Sequence, residues 1–301
     1  MKAVQIDRFG DPDVLRVREV PDPQPGPGEV LVRLAASTIN PVDVKVRSGA
    51  ERPTHLPLPL TLGWDLAGQV VSTSAEAGRF HPCQDVVAMS AMAATGRGTW
   101  AELVALPEHL LATAPTSASL IDAAGLPLAG LAAAHAVDVL DPQPGHVVVV
   151  TGATGAVGGI VVQLLALRGI TVRALVRDRS RADEAADLGA ATVHTGQLPS
   201  VLPTGSSTPP ASPFPRPCAP GGRYVSVVPG SLPTDGLATG VETSMSYVNE
   251  NGSRLAELVR LVDAAHLRLR TAATYPLTDV TAAHTHPHSA ARSGKTALMA
   301  D

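Results

Sequence analysis

Between Val147 and Gly159 the chain reads VVVVTGATGAVGG, and the small residues there recur at a spacing that brings main-chain amides to bear on a charged ligand. Ala153, Gly155 and Gly158 take the small-residue positions of a GxGxxG turn, with alanine in the first position and Gly152 just before it. Such a turn lets a pyrophosphate approach the backbone from Thr154 through Ala156 and Val157. The unpaired N–H groups and positive dipole end of a following helix then meet the negative charge. About twenty residues on, Arg177, Arg179 and Arg181 surround Asp178, where the adenosine ribose of a dinucleotide lies. Guanidinium groups at that point recognise a 2′-phosphate, which favours NADPH over NADH. The same charges also suit the solvated start of a helix running to Leu188, with Asp178 or Ser180 as its cap.

The elements around the turn are those it needs. Val147 to Val150 suits a strand covered on both faces, Val157 to Arg168 has a helical pattern closed by Gly169, and Thr171 to Val176 reads as a second strand. Strand, turn, helix and strand in this order make a βαβ unit of a Rossmann domain. The chain before it differs. Val30 to Leu34, Gln69 to Ser72, Val86 to Met89 and Trp100 to Leu106 are strand-type runs separated by turns such as PDPQPGPG at 21–28. After Ser117 alanine- and leucine-rich helices begin. Leu255 to Leu267 then patterns as an amphipathic helix, Leu269 to Tyr275 as a strand, and Pro276 to Asp279 as the opening of another helix. The reading is an α/β protein with a β domain at 1–117, a dinucleotide-binding domain at 118–268, and a return to the first domain at 269–301.

Composition narrows the partners. A formal net charge of −4 and 3% aromatic residues leave neither a basic footprint nor a stacking surface for nucleic acid. Met1 to Asp7 reads as a strand, not a leader peptide, and the apolar stretch Leu126 to Leu140 carries His135 and Asp138 and is short for a membrane span. Cys83 and Cys218 offer no disulfide framework. A cytosolic enzyme without membrane partners is the expectation.

The order of motifs resembles a known family. MKAVQIDRFG, PGPGEVLVRLAAS, Asn40-Pro41-Val42-Asp43, Gly63-Trp64-Asp65-Leu66-Ala67-Gly68, Gly98-Thr99-Trp100-Ala101-Glu102, the glycine turn, Gly221-Gly222-Arg223 and Gly294-Lys295-Thr296-Ala297-Leu298 together resemble the medium-chain dehydrogenase/reductases, in their zinc-independent, zeta-crystallin-like quinone oxidoreductase branch. The resemblance implies a GroES-like β domain built from both chain ends, a Rossmann domain between them, and a cofactor in the cleft. It makes Asn40 the asparagine of the family's NPxD motif and a polar contact for substrate; locally, Asn40 equally suits a cap before Pro41. Trp64 walls the cleft or fills core. Asp65, like Asp43, braces a loop or transfers a proton. Zinc-dependent relatives place a cysteine near Asn40 and a histidine after Gly63, so this chain lacks those ligands. His284-Thr285-His286-Pro287-His288 is the remaining metal candidate, and also reads as a surface helix start.

The implied activity is NADPH-dependent hydride transfer to a quinone or enone, including an aromatic or polyketide-like intermediate. The acceptor would be selected by loops such as Ser48 to Pro59 and Ala91 to Arg97. Two alternatives remain: a non-redox addition, elimination or cyclisation on the same fold, and a non-catalytic nucleotide-binding module. They draw weight from a departure at 199–220, where eight prolines replace the family's strand and helix. This tract is either a natural loop or a displaced reading frame. Pro203 and Thr204 stand where relatives carry aspartate and threonine, and Ala132 where many carry threonine. The β-prone run Tyr224 to Val228 and the segment reaching Tyr247 match the edge through which relatives form homodimers.

Overall fold

The computed structural model describes residues 1–195, 220–232, 237–285 and 293–300. The proline tract up to residue 219, with Cys218, Pro203 and Thr204, and also His286 and His288, lie outside the described residues.

The chain divides into two compact units, Met1–Leu131 with Asn249–Asp301, and Ala132–Val248. The first opens with β1 (Lys2–Ile6), β2 (Arg16–Glu19), β3 (Glu29–Ile39), α1 (Pro41–Ser48), β4 (Leu60–Thr61), β5 (Asp65–Thr73), β6 (Asp85–Met89), α2 (Met92–Thr95), β7 (Leu103–Pro107), β8 (Leu111–Thr113) and α3 (Leu120–Ala123). Helix α4 (Pro127–Leu140) carries the chain past residue 131. The second unit continues as β9 (Val147–Thr151), α5 (Ala156–Leu167), β10 (Thr171–Val176), α6 (Ala182–Asp187), β11 (Thr192–Thr195), β12 (Arg223–Ser226) and β13 (Glu242–Met245). The first unit is completed by α7 (Gly252–Asp263), β14 (Thr271–Pro276), α8 (Val280–Thr285) and β15 (Lys295–Met299).

In the first unit a seven-stranded sheet runs β14-β15-β3-β5-β6-β8, with β7 also on β3, beside a three-stranded sheet β2-β1-β4. Strand β3 organises it. Val30, Val32 and Leu34 alternate inward and are at most 2% exposed, the period-two pattern of a half-buried strand. The sequence pattern ends at Leu34, yet the strand continues to Ile39. Ser37 and Thr38 interrupt an apolar run, but both hydroxyls are hydrogen-bonded to Asp65, so their burial is compensated. The last four residues of β3 pair antiparallel with β15, tying the carboxyl-terminal segment into this unit.

The contact-based cuts fall at 131/132 and 248/249, whereas the composition-based ones fall at 117/118 and 268/269. The difference lies in α3 and α7. Asn251 caps α7 by accepting from the Arg254 N–H at 2.8 Å, and the helix buries Leu255, Leu258, Val259 and Val262 against β8 and β6. Asp263 at its end accepts from the Ser117 N–H at 2.9 Å. A helix-rich composition does not tell which sheet a helix covers.

In the second unit β11-β10-β9 and β12-β13 are parallel sheets, the Rossmann-type half of an α/β protein. Strand β10 spans the residues expected. The expectation that the β9 valines are covered on both faces is corrected: Val150 is buried, but Val147 is 49% exposed and Val148 and Val149 are intermediate. Among the described residues β9 is paired along one edge, by β10, and β12 along one edge, by β13. With fewer neighbours a β-branched run stays partly open, whatever its composition.

Candidate functional site

The first group of candidate residues lies at the end of β3, the start of α1 and the start of β5. Pro41 sets the first helical position of α1, and Asn40 before it is 1% exposed. The Asp43 carboxylate turns back to accept from the Asn40 N–H at 2.8 Å and reaches the Gly63 N–H at 3.2 Å. Full burial pushes the Asp43 carboxyl up to about 7; the Asn40 N–H opposes this, the negative charge of Asp65 adds to it, and the ammonium of Lys295 opposes it.

Asp65, 0% exposed, is the hub. Its Oδ2 accepts from Asn40 Nδ2 at 2.8 Å, from Lys295 Nζ at 3.1 Å and from the Thr38 hydroxyl, while Oδ1 accepts from the Leu128 N–H at 2.7 Å. The last bond satisfies an orphan amide in the first turn of α4, where a carboxylate also meets the favourable end of the helix dipole. Lys295 donates as well to Asn40 Oδ1. Asn40 thus has its carbonyl oxygen and one amide hydrogen engaged within the cluster, and Asp65 has both oxygens engaged. The geometry makes these residues a rigid brace joining β3, α1, β5, α4 and β15.

Gly63 sets the course of the chain into β5. Its φ is +101°, and a Cβ there would stand 2.6 Å from Thr99 Oγ1 and 2.7 Å from the Trp100 nitrogen, so no other residue fits. Trp64 comes next, 8% exposed, with its carbonyl accepting from the Ser90 N–H at 2.8 Å. Its indole Nε1 is buried and has no hydrogen-bond partner among the described residues. The Trp100 indole, by contrast, donates to the Thr38 carbonyl at 3.3 Å.

The second group lies in the other unit, at the carboxyl ends of the adjacent parallel strands β9 and β10, where α/β sheets bind nucleotides. Gly152 has φ +60°, Gly155 is the N-cap of α5, and a Cβ on Gly158 would collide with the Gly152 carbonyl. Strand and helix therefore meet at van der Waals range, and the first-turn amides of Ala156, Val157 and Gly158 lack intrahelical acceptors. Ala153 and Thr154 are buried beneath the turn, whereas Gly155 is exposed. The residues fit a dinucleotide pyrophosphate.

Beyond β10, Asp178 accepts from the Ser180 N–H at 2.9 Å, which holds its carboxyl below the ordinary value. It is occupied as the cap of a short turn. Arg177 and Arg179 are exposed and have no ion-pair partner among the described residues; Arg181 is intermediate and lies 3.9 Å from Glu184. Ala132 is buried, at 7% exposure. His284 belongs to the end of α8, not to a helix start, and stands edge-on to Trp100 at 5.4 Å between ring centroids. Among the described residues no group of three or more His, Cys, Asp or Glu side chains is placed to hold a metal ion.

Comparison with known proteins matches three stretches of the chain to family models. Residues 26–116 match the alcohol dehydrogenase GroES-like domain, 144–209 the NmrA-like family and 214–298 the zinc-binding dehydrogenase domain. The chain is 37% identical over 189 residues to the chloroplastic quinone-oxidoreductase QR1 of Triphysaria versicolor, covering 60% of this chain and 56% of that one. It is 34% identical over 169 residues to the chloroplastic NADPH-dependent alkenal/one oxidoreductase of Arabidopsis thaliana, covering 54% and 44%. Over 251 residues it is 33% identical to a chloroplastic quinone-oxidoreductase homolog of Spinacia oleracea, covering 76% and 75%. The first two matches span about half the length of those relatives. A quinone oxidoreductase structure from Coxiella burnetii superposes with a TM-score of 0.81 over 99% of both chains at 22% identity, which shows the shared fold. The chain belongs to the quinone oxidoreductase-like branch of the medium-chain dehydrogenase/reductase family, with a GroES-like domain and a Rossmann-like parallel sheet.

Sequence reasoning missed Lys295, Thr38, Ser37 and Thr99 as members of the first group. Lys295 had a signal: a charge at the head of the otherwise buried strand KTALM demands a partner inside. Which partner is a question of tertiary pairing.

Proposed function

We propose that this protein is an NADPH-dependent reductase that transfers hydride to a quinone or enone without zinc. The observation that carries the proposal is the glycine turn at the head of α5 together with exposed Arg177 and Arg179 at the end of the next strand. The helix amides meet the pyrophosphate and the guanidinium groups meet the 2′-phosphate, while Asp178 is engaged with Ser180. Bound NADPH would supply a hydride equivalent, which with one solvent proton converts an enone to a saturated ketone or a quinone to a hydroquinone. The contribution of the chain is positional: the Asp65–Lys295–Asn40 brace fixes the end of β3 and the start of β5, and with them Trp64. Zinc independence is supported by Asn40 and Trp64 standing where zinc-dependent relatives place their ligands.

The proposal includes a homodimer and a cytosolic setting. Val228 and Tyr247, 52% and 61% exposed, stand just past the carboxyl ends of β12 and β13, and this exposed apolar surface supports pairing with a second copy. No helix among the described residues is long and apolar enough to cross a membrane. The test is a fluorescence titration with NADPH and NADH, then loss of the reduced-nicotinamide absorbance with a panel of enones and quinones. NADPH binding about tenfold tighter than NADH and turnover of at least one acceptor are expected; equal affinities, or no turnover by a cofactor-saturated protein, contradict it.

A further inference from the structure

We infer that His135, through its imidazole Nε2, hydrogen-bonds the carboxamide of the nicotinamide ring and so forms the subsite for the redox end of the dinucleotide. The inference rests on the dinucleotide-binding part of the proposed function, and its residues all belong to the second unit.

His135 lies on α4 and is intermediate in exposure, so a ligand can reach it. Its Nδ1 is 2.8 Å from the hydroxyl of Ser246, which follows the last residue of β13 and is 4% exposed. The Ser246 N–H in turn donates to the Ser226 carbonyl at 2.8 Å, at the end of the parallel neighbour β12. The ring is therefore held at the carboxyl ends of two parallel strands, the edge at which α/β sheets bind ligands. The other hydroxyls there are matched among themselves. Ser226 Oγ accepts from the Val228 N–H at 3.1 Å and lies 2.6 Å from Ser231 Oγ, which donates to the Val228 carbonyl at 2.6 Å. His135 Nε2 has no partner among the described residues.

A dinucleotide lies across both halves of such a domain. In the proposed function the arginines after β10 take its 2′-phosphate and the head of α5 its pyrophosphate, which leaves the nicotinamide to the half containing β12 and β13. The carboxamide is the hydrogen-bonding group of that ring, and it offers both an oxygen and an N–H₂. Imidazole suits it, because one ring nitrogen donates while the other accepts. The Ser246 hydroxyl, able to do either, holds Nδ1 in whichever role the carboxamide leaves to it. Holding the carboxamide fixes the rotation of the nicotinamide about its glycosidic bond, and with it the face from which C4 gives up hydride.

The test separates the nicotinamide from the rest of the cofactor. Calorimetry compares NADP⁺ with 2′-phospho-ADP-ribose, which keeps the phosphates and both riboses but lacks the nicotinamide. His135→Phe should weaken NADP⁺ binding about fivefold, the worth of one hydrogen bond, and leave binding of 2′-phospho-ADP-ribose unchanged. The wild type gives a second reading that does not depend on how well the variant folds. In a ¹⁵N-labelled sample the imidazole nitrogen signals of His135, assigned through their correlations to the backbone, should shift with NADP⁺ and stay in place with 2′-phospho-ADP-ribose. Equal loss for the two ligands, no loss for either, or imidazole signals that do not respond to NADP⁺ overturn the inference. In each of these cases the wild type still binds NADP⁺, and the reductase reading survives. A wild type that binds neither ligand defeats both.

Discussion

Lys295 brings its ammonium to Asp65 across 230 residues of sequence, at 7% side-chain exposure against 0%. A buried pair of this kind adds little over an apolar replacement, but removing one partner strands the other charge. Lys295→Met should therefore cost about 3 to 5 kcal/mol in urea unfolding, and a loss below about 1 kcal/mol, the range of a surface pair, would show that the cluster is not a brace. Asp43 gives a second, pH-dependent prediction. Its pKa rises from 3.8 to about 7 on folding, so between those values the folded chain keeps a proton that the unfolded chain has released. Stability relative to Asp43→Asn should fall as pH rises through that window and level off above it; a constant difference in Tm across the window would contradict the burial argument. At the proposed cofactor site, Arg177→Ala should narrow the proposed preference for NADPH about tenfold, the loss of one charge-assisted contact, measured by the same fluorescence titration. The residues of the glycine turn were legible because they act through local backbone geometry. Lys295, Thr38 and Thr99 were not, because their meaning comes from strands paired far apart in the chain.

Strand β10 and helix α5 show what periodicity reveals at the scale of elements. A β-branched run followed by small residues and a helical pattern determines its own local structure, and the boundaries agree within a residue. Strand β3 ran five residues past its apolar pattern because Asp65 satisfies Ser37 and Thr38, a partner 28 and 27 residues away. Composition could assign α7 a type but not a neighbour. The contact between β9 and α5 carries its own prediction. Gly158→Val would drive a side chain into the Gly152 carbonyl, so the helix must shift away from the strand. Overpacking of this kind costs about 1 to 3 kcal/mol, and the shifted amides should weaken NADPH binding by at least about tenfold, roughly the worth of one charge-assisted contact. A Gly158→Val protein binding NADPH as tightly as the wild type would show that the turn does not hold the pyrophosphate.

The family could be recognised from motifs spread along the chain, because several short matches in one order constrain a topology more than any single one. The return of the chain to the first unit through β14 and β15 was legible in the same way. The pairing of β9 along one edge among the described residues was not, since an apolar run does not report how many strands flank it. Exposed Val228 and Tyr247 lead to a prediction for the assembly: light scattering at micromolar concentration should give a dimer mass, and a monomer mass that persists as concentration rises would rule the dimer out. The central claim, hydride transfer to a conjugated acceptor, is tested most directly with NADPH deuterated at the transferable C4 position and an enone, with mass spectrometry of the product. The account predicts one deuterium at the β-carbon of a saturated ketone. Saturated product without deuterium, or an enone recovered unchanged from a protein shown to bind NADPH, would contradict it.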